Sequence, residues 1–266
     1  MNNLTKRILT GSAYVAIMLL AVTRPIFVGP LFAIVAVLGV FELKKIFEKQ
    51  KLDFDLWPTV ILGLIAYTSV LHPEARAFLI TGVFVYFIST LYRPTKNALQ
   101  LIGGLLLGLT YLFIPLALTI PIGLQSGAYE HKTLFGLLIL VWASDSWAYV
   151  SGRLLGKRKL FERLSPNKTW EGFWGSVILT SITGYVLSVT GFGLSSVEWV
   201  ILGALTVFIA TAGDLFQSML KRAANIKDSG TILPGHGGIL DRFDSILFCL
   251  PAYYIYFYSL SPALNF

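Results

Sequence analysis

The sequence predicts an all-α, polytopic integral membrane protein of about nine transmembrane helices, with a polar cavity open to the cytoplasmic side. Three observations lead there. Hydrophobic residues make up 55% of the 266-residue chain and charged residues only 13%, about half the ~25% usual in soluble domains. The apolar residues come in unbroken runs close to the ~20 residues a helix needs to cross hydrocarbon, not in the alternating ten-residue strands of a membrane barrel. The basic residues, finally, sort by loop.

The runs give nine spans, at about 8–23, 26–46, 57–72, 75–92, 97–122, 133–155, 172–191, 197–220 and 243–261. The first follows Lys6-Arg7 but lacks a small-residue cleavage site and is followed by Arg24-Pro25, so it is expected to be a retained span rather than a secretory signal. Most prolines, at 25, 58, 73, 94, 166 and 251, are expected at span ends, where a missing N–H costs least. Pro115 and Pro121 are expected to kink the fifth span. With the amino terminus inside, the inner segments hold 18 of the 21 basic residues and leave only Arg24, Arg76 and Lys132 outside. This is the positive-inside pattern, and it accounts for the net charge of +7 without nucleic acid as a partner. The lone Cys249 cannot form an intrachain disulfide and reads as a small core or lipid-facing residue. Asp53 and Asp55 read as a solvated mixed-charge loop.

Residues 1–130 hold few polar side chains. Their Gly and Ala content suits close helix packing, so they are expected to be scaffold and the interface of a homodimer. Residues 131–266 are expected to be the catalytic region. Asp145 stands in the sixth span, on the order of 15 Å from its inner end, with Tyr149 and Gly152 on its helix face. An acid there costs roughly 2.5–3.5 kcal/mol to insert, so it needs a partner helix or a polar cavity. Asp214 repeats the pattern in the eighth span, and its face continues through Ser218 to Lys221 and Arg222.

Between the eighth and ninth spans, Ser218 to Asp244 packs Lys221, Arg222, Lys227, Asp228, His236, Asp241, Arg242 and Asp244 into 27 residues. Asp241 can cap the ninth helix, with Asp244 at its third position. Alternatively the two, three apart on one face, can join Asp214 on a hard divalent cation such as magnesium. His236 can act as base, phosphate donor or structural group. Gly237 and Gly238 would let backbone N–H groups approach a phosphate, and Arg242 would pair with one. Between the sixth and seventh spans, a basic loop ends in Ser165-Pro166-Asn167-Lys168-Thr169. Thr169 is a candidate cap for the next helix, and a capped amino terminus beside Lys168 can hold phosphate.

Ser218, Leu220-Lys221-Arg222, Lys227-Asp228, Gly230, Leu233-Pro234, His236-Gly237-Gly238, Asp241-Arg242 and Asp244, at these spacings, resemble the signature of the phosphatidate cytidylyltransferases, or CDP-diacylglycerol synthases. The stretch Asp145 to Gly175 resembles the family's second recurrent segment, which more commonly carries a basic residue where Asn167 stands. Together they cover roughly the last 45% of the chain. The resemblance implies magnesium-dependent transfer of cytidine monophosphate from CTP to phosphatidate, in the inner membrane and facing the cytoplasm. It implies Asp214, Asp241, Lys221, Arg222, His236 and Arg242 as catalytic residues. Lys168, Thr169, Ser218, Lys227, Gly237 and Gly238 would bind phosphates, and Asp214, Asp241, Asp145 and Asp244 the metal. The rivals are a CTP-dependent lipid kinase and an ion-coupled secondary transporter. The missing inverted repeat and the one-sided gathering of charge disfavour the transporter.

Overall fold

The structure, a computed structural model, describes residues 3–93, 97–125, 128–232, 235 and 237–260. Helices dominate, and each predicted span falls on a helical stretch. These are α1 (Asn3–Val22), α2 (Pro25–Lys49), α3 (Leu56–Ser69), α4 (Ala75–Leu91), α5 (Ala98–Leu107), α8 (His131–Leu155), α9 (Trp170–Val189), α10 (Ser196–Ala223) and α11 (Leu240–Ile255). After α5 come a π-helical turn (Gly108–Phe113) and the short α6 (Ile114–Ala117) and α7 (Thr119–Gly123). Among the described residues, five helices are long and apolar enough to cross a membrane: Pro25–Lys49, Ala98–Gly123, His131–Leu155, Trp170–Val189 and Ser196–Ala223. Leu9–Val22, Leu56–Ser69 and Ala75–Leu91 are apolar but shorter.

Proline explains the breaks. The fifth span is segmented as expected, because Pro115 cannot donate to the carbonyl four residues back and the preceding turn widens to π. Pro251, by contrast, lies inside α11, which widens into a second π turn (Tyr256–Leu260) after Ile255. Pro30 is likewise inside α2. Pro94 lies outside the described residues. Two short antiparallel ribbons, not expected from the residue pattern, join helices: β1 (Leu124–Gln125) with β2 (Ala128–Tyr129), and β3 (Lys159–Phe161) with β4 (Ser165–Thr169).

The chain divides into two compact units that follow no single cut. The first is Met1–Pro121 with Ala223–Arg242, and the second is Ile122–Arg222 with Phe243–Phe266. The segment 223–242 thus groups with the amino-terminal helices.

In the first unit, Phe32, Leu43, Leu105, Leu112, Phe113 and Leu116 are fully buried. The Phe113 ring lies against Gly63, where any Cβ would sit 2.1 Å from it. Asp55 is not simply solvated: it pairs with Arg93 and accepts from the Tyr86 hydroxyl at 2.7 Å. Asp53 is exposed and accepts from Asn97 Nδ2 at 3.1 Å.

In the second unit, small residues mark the helix crossings, as dense packing in lipid requires. Ser176 Oγ of α9 donates to the Ser144 carbonyl of α8 at 2.7 Å. Gly203 of α10 faces the Thr180 carbonyl of α9, where a Cβ would come within 2.7 Å. The hydroxyls of Thr206 (α10) and Tyr253 (α11) are 2.5 Å apart. Ser195 and Glu198 form a reciprocal capping box at the start of α10.

The crossing at Gly203 is testable. Gly203→Ala forces a Cβ against backbone and is expected to cost about 1–3 kcal/mol, read as a lower Tm in detergent. Gly103→Ala, with nothing within 4 Å of the new Cβ, is expected to leave Tm unchanged or raise it.

Candidate functional site

The site in the second unit begins at the ribbon that follows α8. β3 and β4 pair with Lys159 opposite Thr169. The Glu171 carboxylate accepts from the backbone N–H of Lys157 at 2.9 Å and of Arg158 at 3.1 Å. Thr169 is the cap anticipated for α9: its backbone is extended, and Oγ1 accepts from Gly172 N at 3.2 Å. The same hydroxyl would lie 3.1 Å from a Cβ on Gly152, so the cap also sets the approach of α8 to α9. Lys168, one residue earlier and half-buried, pairs through Nζ with Asp214 Oδ2 of α10.

Asp214 has acidic company. Asp244 of α11 interacts electrostatically with Asp214 and Asp145, and with Lys221 as opposing charge. Backbone proximity brings this about. A Cβ on Gly213 would lie 2.5 Å from the Asp244 carbonyl oxygen, so α10 and α11 touch main chain to main chain beside Asp214. Ser245 Oγ adds a bond to the Ala210 carbonyl at 3.4 Å. The second unit thus brings together Asp145, Asp214, Asp244, Lys168 and Lys221, three acids from three helices. Ser218 is buried, and Arg222 is exposed at the end of α10.

These are hard oxygen donors whose mutual repulsion a divalent cation would relieve. Among the described residues, no three acidic, His or Cys side chains converge closely enough to form a cage by themselves.

The signature loop, with its end at residues 238–242, belongs to the first unit. α11 starts at Leu240, three residues earlier than expected, which moves Asp244 from the third helical position into the second turn. Asp241 lies in the first turn but does not cap it. Its Oδ2 accepts from Ser229 N at 2.9 Å and Gly238 N at 3.0 Å, with Ser229 Oγ at 3.1 Å. The Gly238 amide is thereby committed to Asp241, and Gly237 adopts a positive φ of 85° beside that carboxylate. Lys227, Asp228 and Arg242 are exposed. His236 lies outside the described residues.

The cap of α11 comes from a residue that sequence reasoning passed over. Glu42 of α2 is fully buried. Its Oε1 accepts from Ile239 N at 2.9 Å, and its Oε2 accepts from Leu240 N at 3.0 Å and Ser229 Oγ at 2.7 Å. Its signal was the one used for Asp145, an acid within an apolar run. Lys44 and Lys45 nearby made it look like ordinary charge at a helix end.

A family model described as the cytidylyltransferase family matches residues 5–260. A phosphatidate cytidylyltransferase of Haemophilus influenzae is 32% identical to the chain, covering 97% of it and 100% of the relative. One from Bacillus subtilis is 32% identical over 96% of this chain and 97% of its own. One from Staphylococcus saprophyticus is 47% identical over 46% of each.

The Thr169 cap predicts that Thr169→Ala loses about 1 kcal/mol, with faster amide exchange at the start of α9. Thr169→Ser, which keeps the acceptor, should retain both stability and protection.

Proposed function

The chain belongs to the cytidylyltransferase family, and we propose that it is a multi-pass membrane enzyme that transfers the cytidine monophosphate part of CTP to phosphatidate, releasing pyrophosphate and CDP-diacylglycerol. The observation that best supports this is the gathering of Asp145, Asp214 and Asp244 with Lys168 and Lys221, which pairs carboxylates for a metal with cations for phosphates. Nine crossings, with the amino terminus and the signature loop in the cytoplasm where CTP is found, complete the reading. The loop charge asymmetry supports that orientation.

A phosphatidate phosphate oxygen attacks the α-phosphorus of CTP in line. A new P–O bond forms, the bond to the α–β bridging oxygen breaks, and pyrophosphate leaves with the electron pair. The attacking phosphate is already anionic near neutral pH, so no strong base is needed. The task is to bring two anions together and to stabilise the leaving group. Magnesium, when bound, supplies charge neutralisation on the CTP phosphates, and Asp214, Asp244 and Asp145 would hold it. Lys168, paired with Asp214 in this structure, is positioned to exchange that partner for a phosphate. Lys221 and Arg222 bind the departing phosphates, with Ser218 and Thr169 as hydroxyl donors. The resemblance implies Asp241 at the metal, Arg242 and Lys227 at phosphate and His236 at the reacting phosphates; the Gly238 amide, expected at a phosphate, is instead taken by Asp241.

Purified protein given phosphatidate and CTP labelled at the α-phosphorus should place the label in lipid. Label in soluble CDP would instead indicate a CTP-dependent lipid kinase. Asp214→Asn should lose at least about a hundredfold in turnover while folding normally, and near-wild-type activity would remove its metal role. Magnesium with CTP should raise the Tm of the wild type but not of Asp214→Asn. A magnesium-independent rise would count against the metal assignment.

A further inference from the structure

We propose that Glu42 is a positioning residue for the reaction, the post against which the signature loop is set. The inference rests on the cytidyl-transfer reading and concerns a residue outside the motif. Glu42 is on α2, among helices otherwise suited to scaffold work. Its carboxylate is fully buried, and among the described residues no Lys or Arg pairs with it. Backbone amides and one hydroxyl take that place: Ile239 N, Leu240 N and Ser229 Oγ. Two of the three are donors that the start of a helix leaves without intrahelical partners, where a negative charge is also favoured by the helix dipole.

The loop is shaped around this carboxylate. A Cβ on Gly230 would run into Glu42 Oε1, and one on Gly238 into Ser229 Oγ and then Glu42 Oε2. Glycine at these two positions is therefore a fit to Glu42, independent of any approach to phosphate. Ser229 joins Glu42 to Asp241, since its Oγ lies 2.7 Å from Glu42 Oε2 and 3.1 Å from Asp241 Oδ2. One hydroxyl proton serves one acceptor at a time, and the shorter distance favours Glu42. The Ser229 amide still donates to Asp241. Glu42 and Asp241 thus each join residue 229 to residues 238–240. Whatever holds Ile239 and Leu240 also fixes the backbone of Asp241 and Arg242, the next two residues in the helix.

Glu42→Gln keeps the volume but turns an NH2 group toward donors. The test uses full-length protein in nanodiscs and measures kcat and KM for CTP with the α-label, Tm, and amide exchange of peptides covering 229–241. Glu42→Gln should lower kcat by about a hundredfold, the scale of a roughly 1 Å misplacement of reacting groups. KM for CTP and Tm should change little, while exchange should quicken at 238–240 and not in α3 or α9. Ser229→Ala, which leaves both amide bonds to Glu42, should show a smaller loss of the same kind and carries the test if Glu42→Gln does not fold. Gly103→Ala is the control. Wild-type kcat with unchanged loop exchange, in Glu42→Gln or in Ser229→Ala if it stands in, overturns the proposal. So does a loss that follows Tm alone. If the wild type itself places no label in lipid, the reaction reading fails, and the exchange measurement still decides whether Glu42 holds the loop.

Discussion

A carboxylate in apolar surroundings must be met by donors or by cations, and the architecture of this chain follows from meeting that demand twice. In the first unit, Glu42 and Asp241 are met by backbone amides and a serine hydroxyl, and the outcome is a fixed loop. In the second unit, Asp244 interacts electrostatically with Asp214 and Asp145 and accepts from the Ser245 amide, while Asp214 is paired with Lys168. Amide donors hold a carboxylate permanently. A lysine on a flexible stem can leave. The first arrangement suits a frame and the second suits exchange of ligands.

The crossings that bring the acids together depend on having almost no side chain. Gly213 lets α10 meet the Asp244 backbone, and Ser144 with Ser176 closes α8 on α9. In hydrocarbon there is no water to drive helices together, so close backbone approach and buried hydroxyl bonds carry the association. The glycines and serines next to the acids therefore matter to the site as much as the acids do.

Much of this was legible in the sequence. The helical stretches were, because apolar runs report hydrocarbon length directly. So was the Thr169 cap, because a hydroxyl before Trp-Glu-Gly at a helix start has one obvious use. The clustering of Asp145, Asp214 and Asp244 was legible as cost: acids in apolar runs need a reason. Glu42 was missed because its partners lie far along the chain and Lys44 and Lys45 follow it after a single leucine. The early start of α11 was missed for the same reason, since its cap is supplied from α2 and leaves no local mark. The β3–β4 ribbon has no alternating pattern and contains a proline, so nothing in it reads as strand. The grouping of 223–242 with the amino-terminal helices is a matter of long-range hydrogen bonds, which periodicity does not record.

The separation between Glu42 and its donors, 187 to 198 residues, has a meaning for biogenesis. Synthesis runs from the amino terminus, so α2 enters the membrane with its acid while Ser229 and Leu240 are still untranslated. Until they are made the carboxylate must rely on water, in a helix that would otherwise partition without difficulty. The loop that ends its exposure is made only some 187 to 198 residues later. Completion of the first unit is therefore tied to the arrival of Ala223–Arg242, and a nascent chain truncated before residue 229 would carry a marked defect within its second helix, visible to membrane quality control.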